Sequence, residues 1–83
     1  MDLIKLHNLM KSKKFHYFTG QTNDKDSKLY LEFSTLAQGK GNSIEFIIGK
    51  NDTDVKCWIL SKPNIEKRKL KDDEVFEFIK TLD

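Results

Sequence analysis

Eighty-three residues make one domain, spanning 1–83, whose core lies near the lower size limit for folding unaided. Fifteen basic residues against thirteen acidic ones leave a net charge of +2 in a chain that is 34% charged. That balance excludes bulk attraction to nucleic acid or to an anionic membrane as the organising property. A single cysteine, Cys57, excludes an internal disulfide and the Cys-rich zinc sites, and no apolar stretch approaches the ~20 residues that span a bilayer.

The first element is a helix over about residues 3–12, capped by Asp2, with Leu3, Leu6 and Met10 on one face and Leu9 beside them. Lys11, Lys13 and Lys14 follow at its C-terminal end, where cations suit the helix dipole. The aromatic run 15–19 is β-prone and ends at Gly20, and 21–28 is polar and turn-like. Then Leu29, Leu31 and Phe33 alternate with Tyr30, Glu32 and Ser34. After a loop at 37–42, Ile44, Phe46 and Ile48 alternate with Glu45, Ile47 and Gly49. After a turn at 50–53, Val55, Cys57 and Ile59 alternate with Lys56, Trp58 and Leu60. Period-two alternation in successive segments predicts an antiparallel sheet with one buried face. Pro63 ends that sheet, 64–71 reads as a short helical turn, and Asp72 or Asp73 caps a last helix with the stripe Val75, Phe76, Ile79 and Leu82 and Phe78 at its margin. The fold class is therefore α+β: a four-stranded antiparallel β-meander flanked by an N-terminal and a C-terminal helix, α-β-β-β-β-α.

A two-residue turn at Asn51-Asp52 pairs Ile48 with Val55, Phe46 with Cys57 and Ile44 with Ile59, all on the core face. Ile47 then lies beside Lys56 and Glu45 beside Trp58 on the other face. A similar register pairs Phe33 with Phe46 and Glu32 with Ile47. With Phe15 and Tyr17 turned to the core, a second face collects His16, Phe18, Tyr30, Glu32, Glu45, Ile47, Lys56 and Trp58. His16 would sit across from Glu32 as an ion pair. A sheet surface holding Trp, Tyr, Phe and Ile either binds a partner or lies under one of the two helices.

Other candidates carry weaker chemistry. Lys62, Lys67, Arg68, Lys69 and Lys71 form a basic stretch suited to phosphates, with Glu66 inside it and Asp72, Asp73, Glu74 and Glu77 directly after. His7 and His16 lack ligands at metal spacing, so no metal or cofactor is expected. Cys57 alternates with core residues and reads as a buried thiol. The loop Gly39-Lys40-Gly41-Asn42 joins two strands and lacks the P-loop pattern. The acidic segment Asn23-Asp24-Lys25-Asp26-Ser27 lacks the glycine and closing glutamate of a calcium loop.

The order helix, meander, helix resembles a double-stranded-RNA-binding domain, with Lys67-Arg68-Lys69 where that family sets cations at its last helix. This chain departs from the pattern with Asp72-Asp73-Glu74 in the first turn and with an additional strand. In size, composition and lack of motifs it resembles accessory proteins of phages and mobile elements, including inhibitors of host defence such as the anti-CRISPR proteins. That resemblance implies a binding protein that occludes or modulates a larger protein or nucleoprotein. A single cysteine and an N-terminus too interrupted by charge for a signal peptide predict a cytoplasmic chain, and the lack of a convergent acid, base or nucleophile set predicts a non-enzymatic one. Its partner-binding residues would be Phe18, Tyr30, Glu32, Glu45, Ile47, Lys56 and Trp58. The alternatives are a nucleic-acid-binding module using the basic stretch, and a homodimeric accessory protein.

Overall fold

A computed structural model of the chain describes residues 1–23, 25–60 and 64–82. It contains helix α1 (Leu3–Ser12), strands β1 (Tyr17–Asn23), β2 (Lys28–Ser34), β3 (Ser43–Ile48), β4 (Thr53–Trp58) and β5 (Ile65–Leu70), and helix α2 (Asp72–Lys80). A short 3-10 turn, Ala37–Gly39, lies between β2 and β3. The strands form one antiparallel sheet in the order β1-β2-β3-β4-β5. The architecture is α+β as expected, with five strands in place of four.

The extra strand is β5, in the segment expected to hold a helical turn. Its sequence, Ile-Glu-Lys-Arg-Lys-Leu, shows no apolar alternation because it is an edge strand touching the core only through Ile65 and Leu70. A β-bulge separates the pairs Thr53–Leu70 and Val55–Lys67, with Lys69 in the left-handed region at φ 57°. The Asp54 carboxylate accepts from the Lys69 backbone N–H at 2.9 Å and so satisfies a donor that the bulge takes out of the ladder. Pro63, expected to end the sheet, and Asp24 and Lys62 lie outside the described residues.

Both hairpin registers differ from expectation by two residues. Phe33 pairs with Ile44 and Glu32 with Glu45; Phe46 pairs with Val55, Ile44 with Cys57, Ile47 with Asp54, Glu45 with Lys56 and Ser43 with Trp58. Gly49 and Asp52 close the β3–β4 turn through a backbone bond of 2.9 Å, so Lys50 and Asn51 occupy its tip. A shift of two leaves every side chain on its predicted face, because the pleat repeats every two residues.

Strand β1 breaks that parity. It begins at Tyr17, runs through Gly20 to Asn23, and pairs Phe18 with Phe33 and Thr19 with Glu32. Phe15 is buried as expected, but it belongs to the turn that ends α1: its N–H bonds the Met10 carbonyl, and Lys14 takes φ 70°. That turn reverses the parity expected for the strand. Tyr17 therefore faces away from the helices, and Phe18 faces them. Gly20 sits inside the strand because the Phe18 ring folds along it: a Cβ there would lie 3.0 Å from Phe18 Cζ and 3.2 Å from Leu31 Cδ2.

Both helices pack on one face of the sheet. Leu6 and Met10 of α1, and Val75, Phe76, Ile79 and Leu82 in and just after α2, share a single core with Phe15, Leu31, Phe33, Ile44, Phe46, Val55 and Cys57. Each large side chain so buried contributes roughly 1.5–3 kcal/mol relative to exposure. The helices also clasp each other directly. The Lys13 ammonium donates to the carbonyls of Lys80 (3.1 Å) and Leu82, and Lys5 lies 4.5 Å over the Phe76 ring. Asp2 caps α1 as expected, accepting from the Lys5 N–H at 3.0 Å. The cap of α2 is Lys71, one residue earlier than expected, with its N–H donating to Glu74 at 2.9 Å.

Candidate interaction face

Because both apolar helix stripes close one core, neither helix covers the opposite face of the sheet. Strand pairing lays that face out in rows. One row runs Thr19, Glu32, Glu45, Lys56, Glu66; the next reads Gln21, Tyr30, Ile47, Asp54; a third reads Tyr17, Ser34, Ser43, Trp58. Six of the seven residues expected to bind a partner, namely Tyr30, Glu32, Glu45, Ile47, Lys56 and Trp58, are therefore brought together.

The seventh, Phe18, is corrected to the helix side. Its ring meets His7 edge-on at 4.6 Å and Phe33 at 5.0 Å. His16 precedes β1 and is exposed, and it is Thr19, not His16, that stands across from Glu32. Tyr17, Thr19 and Gln21 take the places expected for the other β1 residues, and Asp54 and Glu66 join the face. The strand parity of β1 and the existence of β5 were the missing pieces.

One end of the face is shielded. The loop carrying the 3-10 turn folds back over it: Ser34 Oγ donates to the Leu36 carbonyl at 2.8 Å, and Asn42 N–H donates to Thr35 Oγ1 at 3.0 Å. Ser34 and Ser43 are buried there although they belong to the open face. Gly41, at φ +72°, is required by this loop, since a Cβ would run into Thr35 Oγ1 and Leu36. Tyr17 (48% exposed) and Trp58 (37%) flank the shielded end, and Tyr30 and Ile47 occupy the middle.

Electrostatics give the face its character. Glu32 and Glu45 are direct cross-strand neighbours, an arrangement that costs free energy in a sheet. Among the described residues neither carboxylate has an ion pair or a side-chain hydrogen bond; Lys56, across from Glu45, is the nearest cation in the row. Asp54 and Glu66 add two further carboxylates. Arg68 is held by Glu66, its Nε 2.6 Å from Oε1. Tyr30 donates its phenol proton to Asp26 Oδ2 at 2.8 Å, and this bond, then partial burial, then the Asp26 and Glu45 charges hold its pKa above the ordinary 10.0. Four strand carboxylates stand against three cations, Lys28, Lys56 and Arg68, and Asp26 adds a carboxylate at Tyr30, so the open face carries a small acidic excess on a chain whose net charge is positive.

The basic stretch is divided by the same topology. Lys67, Arg68 and Lys69 lie along the β5 edge, and Lys71 donates from Nζ to the Asn51 carbonyl at 3.2 Å. Lys67 borders a groove of about 710 Å³ whose rim is Asp73, Glu74 and Glu77 and whose floor is Ile65, Leu70 and Phe78. Among the described residues of the stretch, the cations are thus interleaved with carboxylates. Cys57 is 1% exposed within the core, and His7 is held between aromatic rings. Among the described residues no group of three or more His, Cys, Asp or Glu is placed to hold a metal ion, and no helix is long and apolar enough to cross a membrane.

Comparison with family models, with curated proteins and with solved structures finds no match for the chain.

Proposed function

We propose that the protein is a non-enzymatic binding module whose uncovered, acidic sheet face docks on a cationic surface of a larger protein or nucleoprotein and occludes it. The observation that carries this reading is the pair Glu32–Glu45: two directly opposed carboxylates at the centre of a face that neither helix covers. Unfavourable pairing in the isolated protein becomes favourable against lysines and arginines, so the face is better suited to a complex than to solvent. Tyr17, Tyr30, Ile47 and Trp58 supply the aromatic and aliphatic anchors that hold such a contact once charge has steered it. A cationic target is the kind of surface with which a protein holds nucleic acid. Inhibition of a nucleic-acid-handling host-defence enzyme is the form of this activity that the chain's resemblance to phage accessory proteins implies.

The test is affinity capture from a lysate of the source cells with three baits: wild type, Glu32→Lys with Glu45→Lys, and Tyr30→Ala with Trp58→Ala. The expected result is a partner retained by wild type, weakened by raised salt, and lost by both variants while their thermal melts remain cooperative. Equal capture by all three baits would refute the face.

A further inference from the structure

The two edges of the sheet are built differently. The β5 edge is protected in the ways that keep strands from pairing with other chains: Glu66, Lys67, Arg68 and Lys69 crowd it, and a bulge with Lys69 at φ 57° twists it away. The β1 edge has none of these devices. Its sequence, Tyr-Phe-Thr-Gly-Gln-Thr-Asn, contains no charge and no proline in a chain that is 34% charged. Its pairing with β2 runs unbroken from Tyr17–Ser34 to Asn23–Lys28, and all seven of its residues are exposed.

We infer that β1 is a homodimerisation edge, joined antiparallel to β1 of a second copy about a two-fold axis at Gly20. A two-fold pairing must be self-complementary, because every residue meets the same surface from which it comes. Centred on Gly20, this one sets Thr19 against Gln21 of the second copy, Phe18 against Thr22 and Tyr17 against Asn23. No charge meets a like charge, which the three consecutive cations of β5 forbid on the other edge. Tyr17 and Phe18, about half exposed and on opposite faces, each gain a cross-strand neighbour. The joined sheet then ends on a β5 edge at both sides, and both ends are blunted, so assembly stops at two copies and does not run on into a fibre. This inference is independent of what the acidic face binds, since it uses the strand edge and the backbone.

Sedimentation analysis of the purified full chain tests it at concentrations up to about 0.3 mM, as suits an interface of one strand pair. Wild type is expected at twice the 9.7 kDa monomer mass. Thr19→Lys with Gln21→Lys sets lysine against lysine twice and is expected to weaken the dimer at least tenfold. Thr19→Lys with Gln21→Glu sets each lysine against a glutamate of the second copy and is expected to keep it. Circular dichroism and thermal melts check that both variants fold as wild type does. A monomeric wild type overturns the inference. So does a dimer that survives the double-lysine change undiminished, and so does loss of the dimer in both variants alike.

Discussion

Replacing Glu32 by Gln should stabilise the fold, and replacing Glu45 by Gln should not. In the row Thr19, Glu32, Glu45, Lys56, the Glu32 side chain has an uncharged neighbour on one side and Glu45 on the other. Glu32→Gln therefore removes a repulsion and no attraction. Directly opposed Cβ atoms stand ~5 Å apart, where two unit charges interact by about 0.8 kcal/mol at the dielectric constant of water, and measured cross-strand charge terms are ~0.2–1 kcal/mol. A gain near 0.5 kcal/mol raises the melting temperature of a domain this size by about 2–4 °C. Glu45→Gln removes the same repulsion but also the attraction to Lys56, so the two changes offset and the melting temperature should move by less than about 1 °C. Thermal and urea melts of the three proteins at low ionic strength read the difference, and raising the salt should narrow it. The reasoning is refuted if Glu32→Gln is destabilised, or if the two variants gain equally. A stabilised Glu32→Gln that captures less partner would show that the repulsion is retained for binding.

Three further outcomes follow from the geometry. Phe46→Ala, at a side chain with no exposed surface, should cost about 3–5 kcal/mol in a urea melt, a large part of the roughly 4–12 kcal/mol expected for the whole domain. Gly41→Ala should lose ~1–3 kcal/mol through its positive φ and the contact with Thr35, and should make Ser34 and Ser43 accessible as the loop lifts, read by hydrogen exchange. Tyr30 should ionise above the ordinary 10.0 in a tyrosinate absorbance titration, and Asp26→Asn should return it toward 10.0. Because the folded-state pKa is the raised one, the stability tied to the Tyr30–Asp26 bond is complete below pH ~10 and is lost as pH climbs through the higher folded value.

The faces of β2, β3 and β4 were legible in the sequence because parity survives a register error of two. The turn at Lys50-Asn51 displaced every expected partner of Ile44, Phe46 and Ile48 without moving any of them off the core face. Parity of β1 was not legible. Four aromatic residues from Phe15 to Phe18 carry no alternation, and the left-handed Lys14 resets the phase between helix and strand. The β5 strand was hidden because its outward residues are all charged and its bulge interrupts the period. Whether the helices would take one face or two was also beyond a local reading. It follows from size: a chain of this length has apolar residues for one core, and α1 and α2 are both needed to close it.

That shared closure has a consequence for synthesis. Among the described residues, four of the thirteen apolar side chains in the core, Val75, Phe76, Ile79 and Leu82, follow all five strands in the sequence. Lys13, in the turn after α1, finds acceptors at Lys80 and Leu82. Until α2 has emerged from the ribosome the sheet thus has a half-bare apolar surface, and the fold completes only after α2 has cleared the exit tunnel. A stop codon or a protease cut shortly after Leu70 would leave the five strands with α1 alone over their apolar face, and would turn a self-contained domain into a substrate for chaperones.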